Sequence, residues 1–425
     1  MDTQSGNSEY DAIVVGSGPA GATVARELSK RGKSVLILER GGDASIKEGS
    51  LATAAILGTV SVSDDLVAPR AFITGGTTAL YFAVAEFPPL EVFQSLGIDL
   101  TREVEEAKRD LPLAFVPDEL LGEQSLRLRQ SALELGYPWP KSPLMIDLTK
   151  CASGYNAEAK WNARSFVREA VANGATLINR AKVLRVLLDK DQAIGVEYEV
   201  RKSKKEVEVR RVFGGRVILA AGGAASPLIL RESGMKSFLN GGFYCHPGFG
   251  LFGLVPGMKA GDSFVASMGP VLEENIGVGD GNFPRAFYKM FMLGSRKWFR
   301  AFRHSSSIGI GVMVKEGLGG GLREDGRYYK QFTDEDHAKL KRGEEIARRI
   351  LGHAGARHIF KAPPAASHVG GTLRFREHLD QDMQTEYRNL HVCDGSVIPV
   401  NVKIAPTFTL VCLGKYLANR LCPTT

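Results

Sequence analysis

Residues 11 to 39 constrain the fold more than any other stretch of the chain. Ala12 to Val15 is a short apolar run, Gly16-Ser17-Gly18-Pro19-Ala20-Gly21 follows it, and Ala22 to Lys30 reads as a helix. A second apolar run, Val35 to Leu38, ends in Glu39, eighteen residues after the last glycine. Strand, GxGxxG, helix, strand and acid at this spacing describe a dinucleotide-binding βαβ unit. Gly16 permits the tight turn, and Gly18 lets a pyrophosphate meet the backbone at the helix N-terminus. Gly21 lets helix and strand pack closely, and Glu39 is placed to accept hydrogen bonds from a ribose.

Two remote segments decide between dinucleotides. Arg216 to Ala221 is an apolar strand that runs into Gly222-Gly223, and Leu390 to Cys393 is another that runs into Asp394-Gly395. A strand ending in small residues lets a long dinucleotide lie across it, and an Asp at a strand end can organise water and ribityl hydroxyls. An ordinary nicotinamide dehydrogenase has no need of these returns, so FAD is the expected cofactor. Glycine supplies 48 of the 425 residues, above the usual share of about 7%. Such an excess without a repeat fits tight turns and backbone lying close to a ligand.

Composition mostly excludes. Lys plus Arg exceed Asp plus Glu by 54 to 47, a net charge of +7. That mild excess favours anionic substrates or a negatively charged membrane face without indicating nucleic acid. Met1 to Tyr10 is polar, so no secretory signal or anchor is expected there. The most apolar later stretch, Phe238 to Met258, is broken by six glycines, two prolines and His246 and cannot span a bilayer. The five cysteines are widely spaced with no zinc-ligand pattern, so no metal site is expected and a reducing cytoplasm is the default.

These motifs together resemble the glucose–methanol–choline family of FAD-dependent oxidoreductases, most nearly its cholesterol-oxidase-like and sugar-dehydrogenase-like branches. GSGPAGATVA with LILERGG is similar to the family's N-terminal fingerprint, and ITGGTTALYF (73–82) to its flavin-side glycine loop. Residues 151–186 resemble the segment leading to the adenine side. VILAAGGAASPLILRESG (217–234) with CHPGF (245–249) resembles the second signature, and SHVGGT (367–372) with residues 390–421 the closing block. Residues 87–149 and 251–362 show no recognisable match. The resemblance implies an α/β fold with a discontinuous Rossmann-like FAD-binding domain (8–86, 150–250 and 363–425) and a smaller α+β substrate domain (87–149 and 251–362). It implies that Gly16, Gly18, Pro19, Ala20, Gly21, Glu39, Arg40, Gly75, Gly76, Thr77, Thr78, Val183, Ala221, Gly222, Asp394, Gly395, Pro406 and Thr407 hold FAD non-covalently, Val183 through its backbone at the adenine. It also implies oxidation of a CH–OH group by hydride transfer to flavin N5, with His368 as the base. An imidazole that titrates near neutral pH suits that task.

The chain departs from these relatives at two positions. Ala405, 37 residues after His368, stands where they carry Asn or His as the second catalytic residue, and Tyr81 stands where Asn is usual. Either Asn401 or another side chain replaces the missing group, or one base suffices, or the reaction is redox-neutral, as in lyase, cyclase and photoenzyme types on this scaffold. Tyr81, Ala405 and His246 are expected to line the substrate cavity, His246 as a structural group. Ser226 reads as a helix N-cap. Residues 285–304 mix six Lys or Arg with nine large apolar side chains. They read either as helices with the aromatic face inward or as a basic amphipathic lip on an anionic membrane. The expected partners are a small-molecule substrate and either O2 or a protein electron acceptor. The expected location is the cytoplasm, or its membrane surface through that lip.

Overall fold

Uniformly aliphatic runs build the first sheet. In the computed structural model, which describes residues 9–44, 51–201, 206–272, 275–400 and 405–423, every residue of the strands Ala12–Val15 and Val35–Glu39 is buried. Strands this apolar need cover on both faces, the condition of a parallel sheet. All pairings in it are parallel, in the order Leu390–Val392, Val217–Leu219, Ala12–Val15, Val35–Glu39, Thr176–Asn179. Three distant parts of the chain thus end their strands on one edge, which carries Gly16, Glu39, Ala220 and Cys393. Ligands of open parallel sheets bind outside that carboxyl edge. The α/β class with a Rossmann-like sheet expected from the sequence is the observed one.

The first helix spans Pro19–Lys30 and begins three residues earlier than its apolar pattern suggested. Proline at the first helical position has its φ already set for a helix and lacks only an N–H that would have no partner there. The C-terminal helix, Thr407–Leu421, lies along it. The buried Lys415 reaches Asp110 at 2.6 Å, and Arg26 of the first helix holds the same carboxylate at 2.7 Å. This shared carboxylate fastens the end of the chain to its beginning.

A second sheet is antiparallel. Its core is Pro247–Leu254 paired with Ser307–Val314, flanked by Ile276–Asp280 with Val271–Leu272 on one side and Arg357–Lys361 on the other. The Pro247–Leu254 strand runs unbroken across residue 250. Glycines at 250 and 309 leave a flat patch on which the Phe252 ring lies. The helix Asp334–His353 covers this sheet and opens with a capping box. Asp336 N–H donates to Thr333 Oγ1 at 3.1 Å, and Thr333 N–H to Asp336 Oδ2 at 2.9 Å. Strands Gln192–Arg201 and Val207–Phe213 pair antiparallel. Ala181–Asp189 adds a third strand to that pair.

Candidate active site

The nucleotide turn is held together by Glu39. Its Oε2 accepts from the Ser17 N–H (3.0 Å) and Ser17 Oγ–H (2.6 Å), and its Oε1 from the Gly41 N–H (2.7 Å). Burial raises its pKa against these bonds, which lower it. Glu39 therefore shapes the turn as well as standing where a ribose would lie. Gly16 has φ +101°, and a Cβ there would sit 2.4 Å from the Ala220 carbonyl oxygen, so only glycine fits. Gly18 is different: a Cβ there would meet nothing within 4 Å. The helix N-terminus at Gly18 faces open space, as an anion-binding end must.

The loop at Gly75 and Gly76 closes over this turn. Gly75 N–H donates to Ser17 Oγ at 3.1 Å, and Thr78 Oγ1–H to the Gly75 carbonyl at 2.5 Å. Thr77 and Thr78 form a single 3-10 turn, Gly76–Ala79. Tyr81 beyond it donates its hydroxyl to the Trp161 carbonyl at 2.6 Å, so only the ring is available to a cavity. Burial pushes its pKa up.

Asp394 clamps the ends of the two remote strands. Its Oδ2 accepts from the Gly222 N–H (2.8 Å) and Ser226 Oγ–H (2.5 Å), and its Oδ1 from the Ser396 N–H and Oγ–H (2.9 and 2.7 Å). Ser226 is thus not the helix N-cap. Ala225 occupies that place, and the Ser226 hydroxyl bridges Asp394 and the Ala221 N–H instead. The hydroxyl donates to Asp394, and its oxygen accepts from the Ala221 N–H, not from a first-turn N–H of the helix. Gly222 and Gly395 are brought together here as expected residues of one site.

His368 is delivered by close backbone packing. A Cβ on Gly223 would lie 1.9 Å from the Val369 carbonyl, so only a glycine lets residue 369 sit on the strand end. On its other side the segment pairs with Tyr244–Cys245, Gly370 N–H donating to the Tyr244 carbonyl and Ser367 N–H to the Cys245 carbonyl. The His246 ring lies 5.7 Å from the His368 ring, centre to centre, and stacks on Tyr244 at 4.6 Å. Nδ1 of His368 is buried with no hydrogen-bond partner among the described residues. Burial, and second the nearby Arg70 cation, pull its pKa down to about 4, so the imidazole is neutral at physiological pH.

Several site residues carry no motif of their own. Arg70 is the fourth residue of an otherwise uncharged strand, Val67–Ala71, and lies within electrostatic reach of Asp394, Tyr328 and His368. Burial lowers its pKa and Asp394 partly restores it. Its side chain forms no ion pair or hydrogen bond among the described residues. Arg70 and His368 are each of intermediate surface exposure. Glu316 and Lys330, 3.3 Å apart and fully buried, support the CHPGF segment. Glu316 accepts from the Cys245 and His246 N–H groups at 2.6 and 3.0 Å, and Lys330 Nζ donates to the Phe243 carbonyl at 2.6 Å. The only sequence signal available was the Arg beside Pro69, just before the glycine loop. Nothing marked the pair.

Other expected residues are less central. Arg40 is exposed and lies over the Phe72 ring at 4.2 Å. Val183 sits in the Ala181–Asp189 strand opposite Tyr198. Pro406 and Thr407 open the C-terminal helix, and the Ala405 N–H donates to Glu86 Oε2 at 2.6 Å. Asn401 lies outside the described residues.

These residues fit a dinucleotide. An open helix N-terminus, an enclosed cation without an acid partner and a buried imidazole nitrogen without a partner all await polar groups of a ligand. Each would be costly to leave unmet. Residues 106–247 match the family model of GMC oxidoreductases, and residues 14–53 match an NAD(P)-binding Rossmann-like domain. The first match begins inside the 87–149 stretch, where no motif was recognisable. Over 276 residues the chain is 32% identical to an uncharacterised GMC-type oxidoreductase of Mycobacterium tuberculosis, covering 57% of this chain and 42% of that protein. It is 23% identical over 408 residues to a long-chain-alcohol oxidase of Arabidopsis thaliana, covering 82% of this chain and 53% of that protein. The chain spans about half the length of these relatives. Pyridoxine 4-oxidase from Mesorbium loti shares the fold, with a TM-score of 0.72, 15% identity, and 97% of this chain matched to 99% of that one. The chain is thus similar to GMC oxidoreductases over residues 106–247 by the family model and over longer stretches by its sequence relatives.

Proposed function

We propose that the chain is an FAD-dependent oxidoreductase that oxidises a CH–OH group. The observation that carries this reading is His368, a neutral imidazole at the carboxyl edge of a dinucleotide sheet whose buried Nδ1 has no partner among the described residues. FAD, when bound, supplies the hydride acceptor. The Gly16–Gly21 turn, the Gly75–Thr78 loop, Gly222, Asp394 and Arg70 would hold it, Arg70 by its charge. The division into an FAD-binding unit and a substrate unit at the boundaries given above is part of this proposal. His368 takes the substrate hydroxyl proton: an imidazole neutral above pH ~4 is already in the accepting form. Tyr244, His246 and the Glu316–Lys330 pair keep that ring in place. Asn401 is the proposed second hydrogen-bonding residue, and Glu86, bonded to the Ala405 N–H, is the acid nearest the vacated position.

A relative named for long-chain alcohols and a cleft whose lining is apolar and aromatic apart from Lys160, with Leu80, Phe82, Phe264 and Phe287 among it, favour a lipophilic alcohol. They favour the cholesterol-oxidase-like side of the resemblance over the sugar-dehydrogenase-like side. The acceptor of the electrons is O2 or a protein.

Anaerobic mixing of the flavin-loaded protein with candidate alcohols tests the reading. The visible flavin band is expected to bleach with a saturable dependence on the alcohol. Product formation with the flavin oxidised throughout, including in stopped-flow traces, would instead establish the redox-neutral reaction. The cofactor assignment has its own check. Arg70→Met removes an enclosed charge contact of roughly 1.5–3 kcal/mol, so FAD affinity is expected to fall about 10- to 100-fold in a titration of apoprotein. Unchanged affinity would remove Arg70 from the binding site.

A further inference from the structure

We propose that residues 285–304 form a docking surface for an anionic lipid bilayer. The segment is two-sided. Its inner face belongs to a small core separate from the main one, in which Tyr288, Met292 and Ala301 pack with Phe252, Phe291 and Phe360. The Phe252 ring, seated on the glycine patch of the antiparallel sheet, lies 5.4 Å from Phe291 and 5.7 Å from Phe360. The inward aromatic packing expected from the pattern is therefore real, but it uses only part of the apolar set.

The rest points outward. Leu293 is 49% exposed, Trp298 70%, Phe299 57% and Phe302 77%. They sit on the helix Arg285–Gly294 and the 3-10 turn and loop that follow it. Scattered exposed apolar residues need no explanation, but three large aromatics within five positions form a patch. Cations surround it: Arg285, Lys289, Arg296 and Arg303 are exposed, and residues 285–304 contain no Asp or Glu. None of the four side chains has an ion-pair partner among the described residues. Asp262, the acid nearest this segment, accepts from the Arg285 backbone N–H and lies 3.6 Å from His304. Elsewhere the exposed cations are commonly paired, as in Arg102–Glu106 and Arg388–Asp191. Arg300, by contrast, is buried and donates to the His358 carbonyl at 2.6 Å, fixing the turn that presents its neighbours.

An exposed Trp and two Phe among cations that have no acid partner among the described residues, with Lys289 Nζ 5.0 Å from the centre of the Phe302 ring, is complementary to one kind of surface. Aromatic rings settle at the level of lipid headgroups, and Lys and Arg are drawn to anionic ones. Among the described residues no helix is long and apolar enough to cross a membrane, so the contact is with its surface. The lip also adjoins the aromatic cleft. Phe287 lines both, and Phe82 of the glycine-loop segment lies 5.9 Å from Phe283, which is 4.9 Å from Phe287. A bilayer held by Trp298 and Phe302 would lie beside the opening of that cleft.

The test uses the full chain with its flavin and two vesicle types, phosphatidylcholine alone and phosphatidylcholine with phosphatidylserine. Trp139 and Trp161 are buried, so Trp298 is the exposed indole of the three tryptophans. Partition into the anionic vesicles at least tenfold above neutral ones is expected, with a blue shift of tryptophan emission and release by salt. Arg296→Glu with Arg303→Glu is expected to lower partition at least about tenfold, and Trp298→Ser with Phe302→Ser to lower sedimentation with the anionic vesicles at least as much. These side chains are exposed, and bound flavin reports that the variants remain folded. Equal or absent binding to the two vesicle types overturns the proposal, as does anionic binding that the Trp298/Phe302 variant retains. A concentration-dependent dimer that Phe302→Ser dissolves, without vesicle binding, assigns the patch to a second copy instead. None of these readouts depends on turnover.

Discussion

His368→Ala is expected to slow substrate-driven flavin bleaching about a thousandfold while leaving the flavin bound. General-base catalysis by a positioned imidazole contributes roughly 10²–10⁴-fold, and alanine removes the base without touching the Gly16–Gly21 turn, the Gly75 loop or the Asp394 clamp. Flavin content separates this from a folding defect. The pH dependence adds a sharper signature. The imidazole is held down to about 4 by burial and by Arg70, so the accepting form persists well below its ordinary 6.5. The acid limb of kcat/KM in the wild type is therefore expected near pH 4, not near 6.5, and it disappears in His368→Ala. An acid limb centred near 6.5, or a variant that reduces its flavin at the wild-type rate, would remove His368 from the role of base. Asn401→Ala, measured alongside, is expected to lose far more activity than exposed surface changes do. Near-normal bleaching in that variant would leave Glu86 as the group to examine next to Ala405.

Lys330→Met is expected to be the most destabilising single change away from the reacting atoms. Lys330 and Glu316 both have 0% side-chain exposure, and each also bonds the backbone that carries His246. Removing the ammonium leaves a carboxylate in the interior whose remaining donors are the Cys245 and His246 N–H groups. Breaking one half of such a buried pair costs about 3–5 kcal/mol. For a chain of this size the thermal midpoint is expected to drop by roughly 3–6 °C. The double change Glu316→Leu with Lys330→Met removes both charges and is expected to recover much of that loss, because an apolar pair has no desolvation penalty to offset. A double variant no more stable than the single one would show that the pair is not what sustains this region. Because CHPGF packs against the His368 segment, the single variant is also expected to lose activity before it unfolds globally.

The contrast between these two residues shows how far a linear reading reaches. His368 sits inside a recognisable motif, SHVGGT, and its glycine support is contiguous with it. Lys330 and Glu316 lie in a stretch with no motif, and only folding reveals that they face one another. Arg70 belongs with them. One arginine in a short strand looks like a surface residue until Asp394, more than three hundred positions away, is found within its electrostatic reach. Ser226 illustrates the reverse error. A Ser before a Pro at a helix start has the local marks of an N-cap, yet a distant carboxylate claims its hydroxyl. The lip was ambiguous for the same reason. Its composition is equally good for packing inward or outward, and the small Phe252 core takes Tyr288 and Met292 while leaving Trp298 and Phe302 outside.

Features that depend on backbone were therefore legible in the chain alone. The Gly16 turn, the aliphatic strands and the acid that ends the second of them are each encoded within a few residues, although the helix between them opens at Pro19, three residues before its apolar pattern. Steric limits on φ and the burial of apolar runs act locally and leave a local pattern. The protein's charge pairings were not legible in this way, nor was the lack of a partner, among the described residues, for the Arg70 side chain and His368 Nδ1. Whether a cation, an acid or an imidazole is neutralised, buried or left waiting for a ligand depends on which distant segments the fold brings within a few ångströms. Coulomb energy and desolvation are set by those distances and by the surrounding protein, which no short stretch of sequence contains.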